Sequence, residues 1–238
     1  HVIQVQRTLY DLAGANPDVR FSPPCWAIKL SLKHKGLDFN TIPWRFTDKN
    51  VLEVSGQSRV PVLVDGEHEV HDSWQIALYL DETYPDKPLI ESDALRSAAR
   101  FTKAWVDNTM QQAILPLILD DIYACIHEKD RDYFRESREK RFGKPIDQVC
   151  TDKQSQSVIL DGILKPLGET LSDLEFLGGA TPNHSDYVVF GRLQWARVVS
   201  RAPFAPTDTD GPIAAWFSRI LDLYDGFAAK SPTVRNQS

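Results

Sequence analysis

A chain of 238 residues with 42% hydrophobic side chains has room for one or two domains and apolar mass for a substantial core, which argues against disorder and disulfide dependence. Its net charge of −6 argues against nucleic-acid binding, because phosphate recognition needs a concentrated basic surface. Cys25, Cys125 and Cys150 suit neither a disulfide framework nor a paired zinc spacing, so no metal is expected and reduced thiols point to a cytoplasmic setting.

No apolar run reaches the ~18–20 residues of a membrane span, and no basic-then-apolar leader opens the chain, so neither membrane insertion nor a signal peptide is expected. The basic cluster from Arg131 to Lys144 is interleaved with Asp132, Glu136 and Glu139 and reads as a solvated helix face.

Residues 8–12 form a strand candidate, followed by a loop over 13–19 that contains Gly14, Asn16 and Pro17. Over 22–36, Trp26, Ile28, Leu30 and Leu32 alternate with Lys29, Ser31 and Lys33, a pattern that suits a strand as well as a helix. Ser22-Pro23 as cap and first helical residue, with Gly36 as a stop after His34 and Lys35, favours a helix. Residues 39–46 read as a strand. Residues 61–64 and 68–71 read as a hairpin around Asp65-Gly66, and 74–84 as a helix stopped by Pro85. The order β-α-β, connector, β-β-α is the thioredoxin-like plan.

Beyond residue 93 the pattern turns helical, with helices expected at 94–119, 131–141, 154–177, 186–201 and 212–227. The reading is therefore α/β plus all-α: a thioredoxin-like domain over 1–86, a linker within 84–92, and a helical bundle over 93–238.

Two features carry chemistry. A cis Val60-Pro61 bond would turn the Val60 backbone outward to pair with an extended peptide ligand, whereas an ordinary trans proline would only start a strand. Asp72-Ser73, directly before the 74–84 helix, offers a hydroxyl and backbone N–H groups to a carboxylate and an acid to an ammonium; the plain alternative is a helix cap.

The run from Ser58 through Arg59, Val60, Pro61 and Val62 to Gly66, followed by His71-Asp72-Ser73-Trp74-Gln75, resembles the glutathione-binding half of the glutathione transferase family. Asn183-His184-Ser185-Asp186 resembles that family's capping box, with Asn183 as cap in place of the usual Ser or Thr and Asp186 as returning partner. Phe21-Ser22-Pro23-Pro24-Cys25-Trp26 is similar to the etherase-type serine class, which includes bacterial lignin β-etherases and related fungal transferases.

The resemblance implies glutathione as cosubstrate and a homodimer. Val60 and Pro61 would pair with the cysteinyl backbone, Asp72 and Ser73 would hold the γ-glutamyl group, and Gln57 and Arg59 would serve the glycyl end. Ser22 occupies the attacking position of a C-x-x-C motif, where a serine cannot form mixed disulfides but can donate its hydroxyl to a glutathione thiolate. Such a charged hydrogen bond, worth ~1.5–3 kcal/mol, lowers a thiol pKa of ~8.5 by ~1–2. A simple N-cap is the alternative for Ser22. For Cys25 a structural role competes with thiol transfer.

The acceptor pocket is expected near Pro24, Trp26, Trp44, Trp105, Ile114, Ile118 and Tyr123, although aromatics at helical spacing also serve as core. Conjugation, peroxide reduction and aryl-ether cleavage of hydrophobic, wood-derived phenolics all fit. A carrier of phenolics with little turnover and a non-catalytic interaction module are the competing readings. His68 and His71, three apart in a strand, point to opposite sides and cannot share a metal.

Overall fold

The structure is a computed structural model that describes residues 6–48 and 59–237. The first half builds a four-stranded sheet in the order β2-β1-β3-β4 from β1 (Arg7–Leu12), β2 (Asn40–Trp44), β3 (Val62–Asp65) and β4 (His68–His71). β1 runs parallel to β2, with Thr8 opposite Asn40, and antiparallel to β3, with Leu9 opposite Leu63. Pro43 is tolerated because β2 is an edge strand. The crossover between the parallel strands is α1 (Pro23–His34), and α2 (Ser73–Thr83) follows the hairpin.

α1 resolves its own ambiguous pattern. It lies between the sheet and the second domain, so Trp26, Ile28, Leu30 and Leu32 are buried together with Lys29 and Ser31. Its polar residues are satisfied inside: Lys29 Nζ donates to Asp11 Oδ2 at 2.8 Å and Ser31 Oγ to the Ala27 carbonyl at 2.7 Å. A helix enclosed on all sides shows no amphipathic period.

The hairpin turn sits one residue later than expected. Asp65 is the last paired residue of β3, opposite His68, and its carboxylate accepts from Tyr79 Oη at 2.9 Å and Tyr84 Oη at 2.6 Å. Gly66, at φ 62°, and Glu67 make the turn.

The second half is helical: α3 (Asp93–Trp105), a π-helical turn (Val106–Met110), α4 (Gln111–Cys125), a 3-10 turn (Glu128–Asp130), α5 (Arg131–Phe142), α6 (Ile146–Val149), α7 (Lys153–Asp173), α8 (His184–Val199), α9 (Ala205–Asp208) and α10 (Pro212–Gly226). The expected single helix over 94–119 is thus two helices joined by the π turn. α7 ends before residue 177 because the Leu177 and Gly178 N–H groups are taken by Asp186, at 2.7 and 2.9 Å. α10 is broken at Leu223–Asp225, where Tyr224 and Asp225 adopt positive φ. The Tyr224 hydroxyl there meets Tyr187 Oη at 2.6 Å.

α8 is the axis of this domain, buried along almost its whole length. Its N-terminus carries the capping box: Asn183 accepts from the Ser185 N–H at 3.1 Å and the Asp186 carboxylate accepts from the Asn183 N–H at 2.9 Å. Midway along it, a Cβ at Gly191 would stand 2.4 Å from the Pro23 carbonyl oxygen, so only glycine lets α8 approach the first turn of α1 this closely. The linker is pinned as well, because Asp81 accepts from the Leu89 and Ile90 N–H groups and the Leu89 carbonyl accepts from the His184 N–H.

Candidate active site

Ser22 caps α1 in an extended conformation, and its Oγ accepts from the Cys25 N–H at 3.3 Å. Pro23 and Pro24 fill the first two helical positions, where their missing N–H groups cost nothing. Capping uses a lone pair of Oγ, so the hydroxyl proton is still available for donation. Ser22 is only 3% exposed and borders a cavity of about 340 Å3.

Cys25, one turn along, is 0% exposed, with Sγ 3.7 Å from the Tyr10 carbonyl oxygen. Burial, aided by the Asp11 charge, pushes its thiol pKa far up, so it persists as a neutral thiol. Such burial suits a packing role, since the thiolate is the reactive form of the side chain.

The Val60-Pro61 bond is cis, and Val60 borders the same cavity. Asp72 is the exposed N-cap of α2, and its Oδ1 accepts from the N–H groups of Trp74 at 3.0 Å and Gln75 at 3.2 Å. Its backbone, φ 67° and ψ 128°, is in a region that side-chain-bearing residues rarely adopt, and such strain concentrates at ligand sites. Ser73 is the half-buried first residue of α2. Neither Asp72 nor Ser73 borders the Ser22 cavity, Arg59 does, and Gln57 lies outside the described residues.

Of the residues expected to form the acceptor pocket, Pro24 and Trp44 line the cavity and the others do not. Trp26 is turned into the fold, where its indole N–H donates to the Arg20 carbonyl at 2.8 Å and Lys29 Nζ sits 3.5 Å above its ring. Tyr123 is covered by the Arg135 guanidinium, 4.8 Å from its ring, and accepts from it at 2.7 Å. Trp105 packs against the core, and Ile114 and Ile118 are fully inside it. On the same helix as these two isoleucines, Gln111, Leu115 and Ile122 face the cavity instead.

The walls are aromatic. Phe46 is the hub, with ring centroids 6.4 Å from Phe21 and from Trp44, 6.0 Å from Tyr133 and 5.8 Å from Phe134. Asp130, fully buried, fixes this hub by accepting from the backbone N–H groups of Phe46 and Thr47 and from Thr47 Oγ1. Sequence reading misses Tyr133, Phe134, Arg138 and Arg141, which it assigns to a solvated face. Their spacing holds a signal, since Phe134, Arg138 and Arg141 recur on one side of α5 and the Arg138 guanidinium lies 4.5 Å over the Phe134 ring.

A four-stranded thioredoxin-like sheet followed by a helical domain, with a capped serine at the cavity between them, defines a two-domain transferase architecture. The profile described as "Glutathione S-transferase, N-terminal domain" matches residues 17–88, and that described as "Glutathione S-transferase, C-terminal domain" matches residues 97–220, so the chain belongs to the glutathione S-transferase family.

Among solved structures, glutathione transferase GSTFuA3 from Phanerochaete chrysosporium superposes with a TM-score of 0.81 at 20% identity, over 90% of this chain and 96% of that one. CsGST63524 of Ceriporiopsis subvermispora, solved in complex with glutathione, gives a TM-score of 0.77 at 25% identity, over 92% of this chain and 99% of that one. Glutathione S-transferase Z2 of Arabidopsis thaliana is 34% identical over 79 residues, 31% of this chain and 35% of that protein. The chain spans about a third to a half of the first curated relatives it matches.

Proposed function

We propose that the chain is a serine-type glutathione transferase in which the Ser22 hydroxyl holds the glutathione thiolate. The observation that carries this reading is the capped serine itself. One lone pair is committed to the Cys25 N–H, and the hydroxyl borders a cavity that also contains Val60. The N-terminal end of α1 adds a favourable field for negative charge. No base is needed, because one charged hydrogen bond of ~1.5–3 kcal/mol moves a thiol of pKa ~8.5 close to neutrality.

In this reading Val60 pairs with the cysteinyl backbone, Asp72 and Ser73 hold the γ-glutamyl group, and Arg59 serves the glycyl end. The solved relative bound to glutathione supports that choice of cosubstrate. The aromatic walls suit a flat acceptor, in keeping with an etherase-type or phenolic-binding role.

Isothermal titration with glutathione, paired with ultraviolet absorbance of the bound thiolate, tests the proposal on the wild type and on Ser22→Ala. The expected outcome is binding by both and a neutral-pH thiolate band only in the wild type. Binding by both with no band in either would favour a carrier of phenolics, and no binding would remove the glutathione assignment.

A further inference from the structure

The cavity beside Ser22 carries an unbalanced charge. Among the described residues, its lining includes Arg59, Arg138, Arg141 and Arg192 and no carboxylate, in a protein whose net charge is −6. Arg138 and Arg141 stand three apart on α5, and none of the described carboxylates forms an ion pair with either. Their named partners are neutral: Ser137 Oγ for Arg138 and Gln112 Oε1 for Arg141, each at 2.8 Å.

Arg192 enters from α8 with its side chain only 9% exposed. One Nη donates to Asp107 at 2.5 Å, but Asp107 also receives Lys103 at 2.5 Å, so one carboxylate serves two cations. The Arg192 Nε–H is buried with no partner. A buried donor left unpaired is destabilising, and an incoming acceptor oxygen would relieve that cost. Arg138 and Arg141, with no carboxylate paired to either among the described residues, repel each other, and an anion relieves that repulsion.

We infer that the acceptor side of this cavity takes aromatic carboxylates, with the ring against Trp44, Phe46 and Tyr133 and the acid group on Arg138, Arg141 and Arg192. Guanidinium forks match a carboxylate in two-point geometry. The assignment deepens the glutathione reading by naming the acceptor class and rests on it only for the reaction after binding. With a conjugated aromatic acid, the sulfur bonds to the β-carbon and the π pair moves to the α-carbon. That carbon takes up one proton, equal to the one the thiol gave to solvent. Nothing leaves, and no oxidant or reductant is required.

The test uses tryptophan fluorescence, because Trp44 and Trp195 both line the cavity. The full chain is titrated with 2-naphthoate and with the neutral 2-naphthalenemethanol, in low and high salt. The expected result is at least tenfold tighter binding of the acid, weakened by salt. The preference should vanish in the Arg138→Gln/Arg141→Gln double variant and return in large part with Arg138→Lys/Arg141→Lys. Equal affinity for acid and alcohol in the wild type overturns the inference, as does a preference that survives the glutamine variant.

Calorimetry with glutathione on the same variants separates the two readings. Unchanged glutathione affinity with a lost naphthoate preference supports the inference. A parallel loss of both would assign these arginines to glutathione and overturn it. Naphthoate preference in a chain that binds no glutathione would leave the anion pocket standing and remove the transferase reading alone.

Discussion

Asp186→Asn is the sharpest test of how the helical domain is held together. The carboxylate accepts four N–H groups, two on each oxygen: Leu177 N at 2.7 Å and Trp216 Nε1 at 2.8 Å on Oδ1, Gly178 N and Asn183 N at 2.9 Å on Oδ2. Asparagine has one carbonyl and one NH2, so either flip leaves two donors facing a donor. The favoured flip keeps Trp216, which is fully buried, and abandons Gly178 and Asn183. Each lost buried bond costs ~1–3 kcal/mol. Burial pushes the Asp186 pKa up, so removing its charge returns part of that cost. The net expectation is a loss of ~2–4 kcal/mol, with Asp186→Ala losing more because all four donors are stranded. Equilibrium urea unfolding followed by both circular dichroism and tryptophan fluorescence measures it. An Asp186→Asn midpoint indistinguishable from the wild type, or an alanine variant no weaker than the asparagine one, would refute the reasoning.

Gly191→Ala should move α8 or α1 by about 0.6 Å to bring its Cβ out to the 3.0 Å limit from the Pro23 oxygen. Overpacking of ~1–3 kcal/mol outweighs a helix-propensity gain of ~1, so both melting temperature and glutathione affinity should fall. His184 is held at a pKa of about 4, below its ordinary 6.5, by burial first and Lys103 second. The unfolded chain therefore binds more protons between these values, and stability falls by up to about 3 kcal/mol as pH drops from 6.5 to 4. Urea midpoints across that range should show a shallower slope in His184→Phe than in the wild type. A colourless thiol-reactive disulfide reagent followed by peptide mapping should leave Cys25 unmodified in the native protein and label it only after denaturation.

The fold was legible where local rules act alone. Ser22-Pro23 marks a helix start through cap chemistry, and Asn183 with Asp186 marks another through a reciprocal pair, and both stand where the spacing puts them. Legibility failed where a partner distant in sequence decides. Asp65 looks like a turn residue beside Gly66, yet Arg7, Tyr79 and Tyr84 claim its carboxylate and keep it in the strand. Asp186 draws off two N–H groups that would otherwise have extended α7. Along the cavity wall, Ser22 and Val60 were singled out from local motifs, whereas Arg138, Arg141 and Arg192 were not. An i, i+3 pair of cations among acids has the same signature on a wet face and on a cavity wall, and only tertiary packing distinguishes them.

The π turn at Val106–Met110 can be regarded as a phase-setting device. The helix before it buries only Ala99, whereas the helix after it buries Ile114, Ile118 and Leu119 and lends Gln111, Leu115 and Ile122 to the cavity wall. Deleting a single residue within the turn would restore an unbroken α-helical phase, swinging Gln111, Leu115 and Ile122 away by roughly 100° and bringing new side chains to the cavity. Because Asp107, the anchor of Arg192, lies inside the same turn, the shift would also release the buried guanidinium. Wall composition and charge placement are thus set together by one local insertion, so altering helix phase alone would put different side chains on the cavity wall without a single substitution.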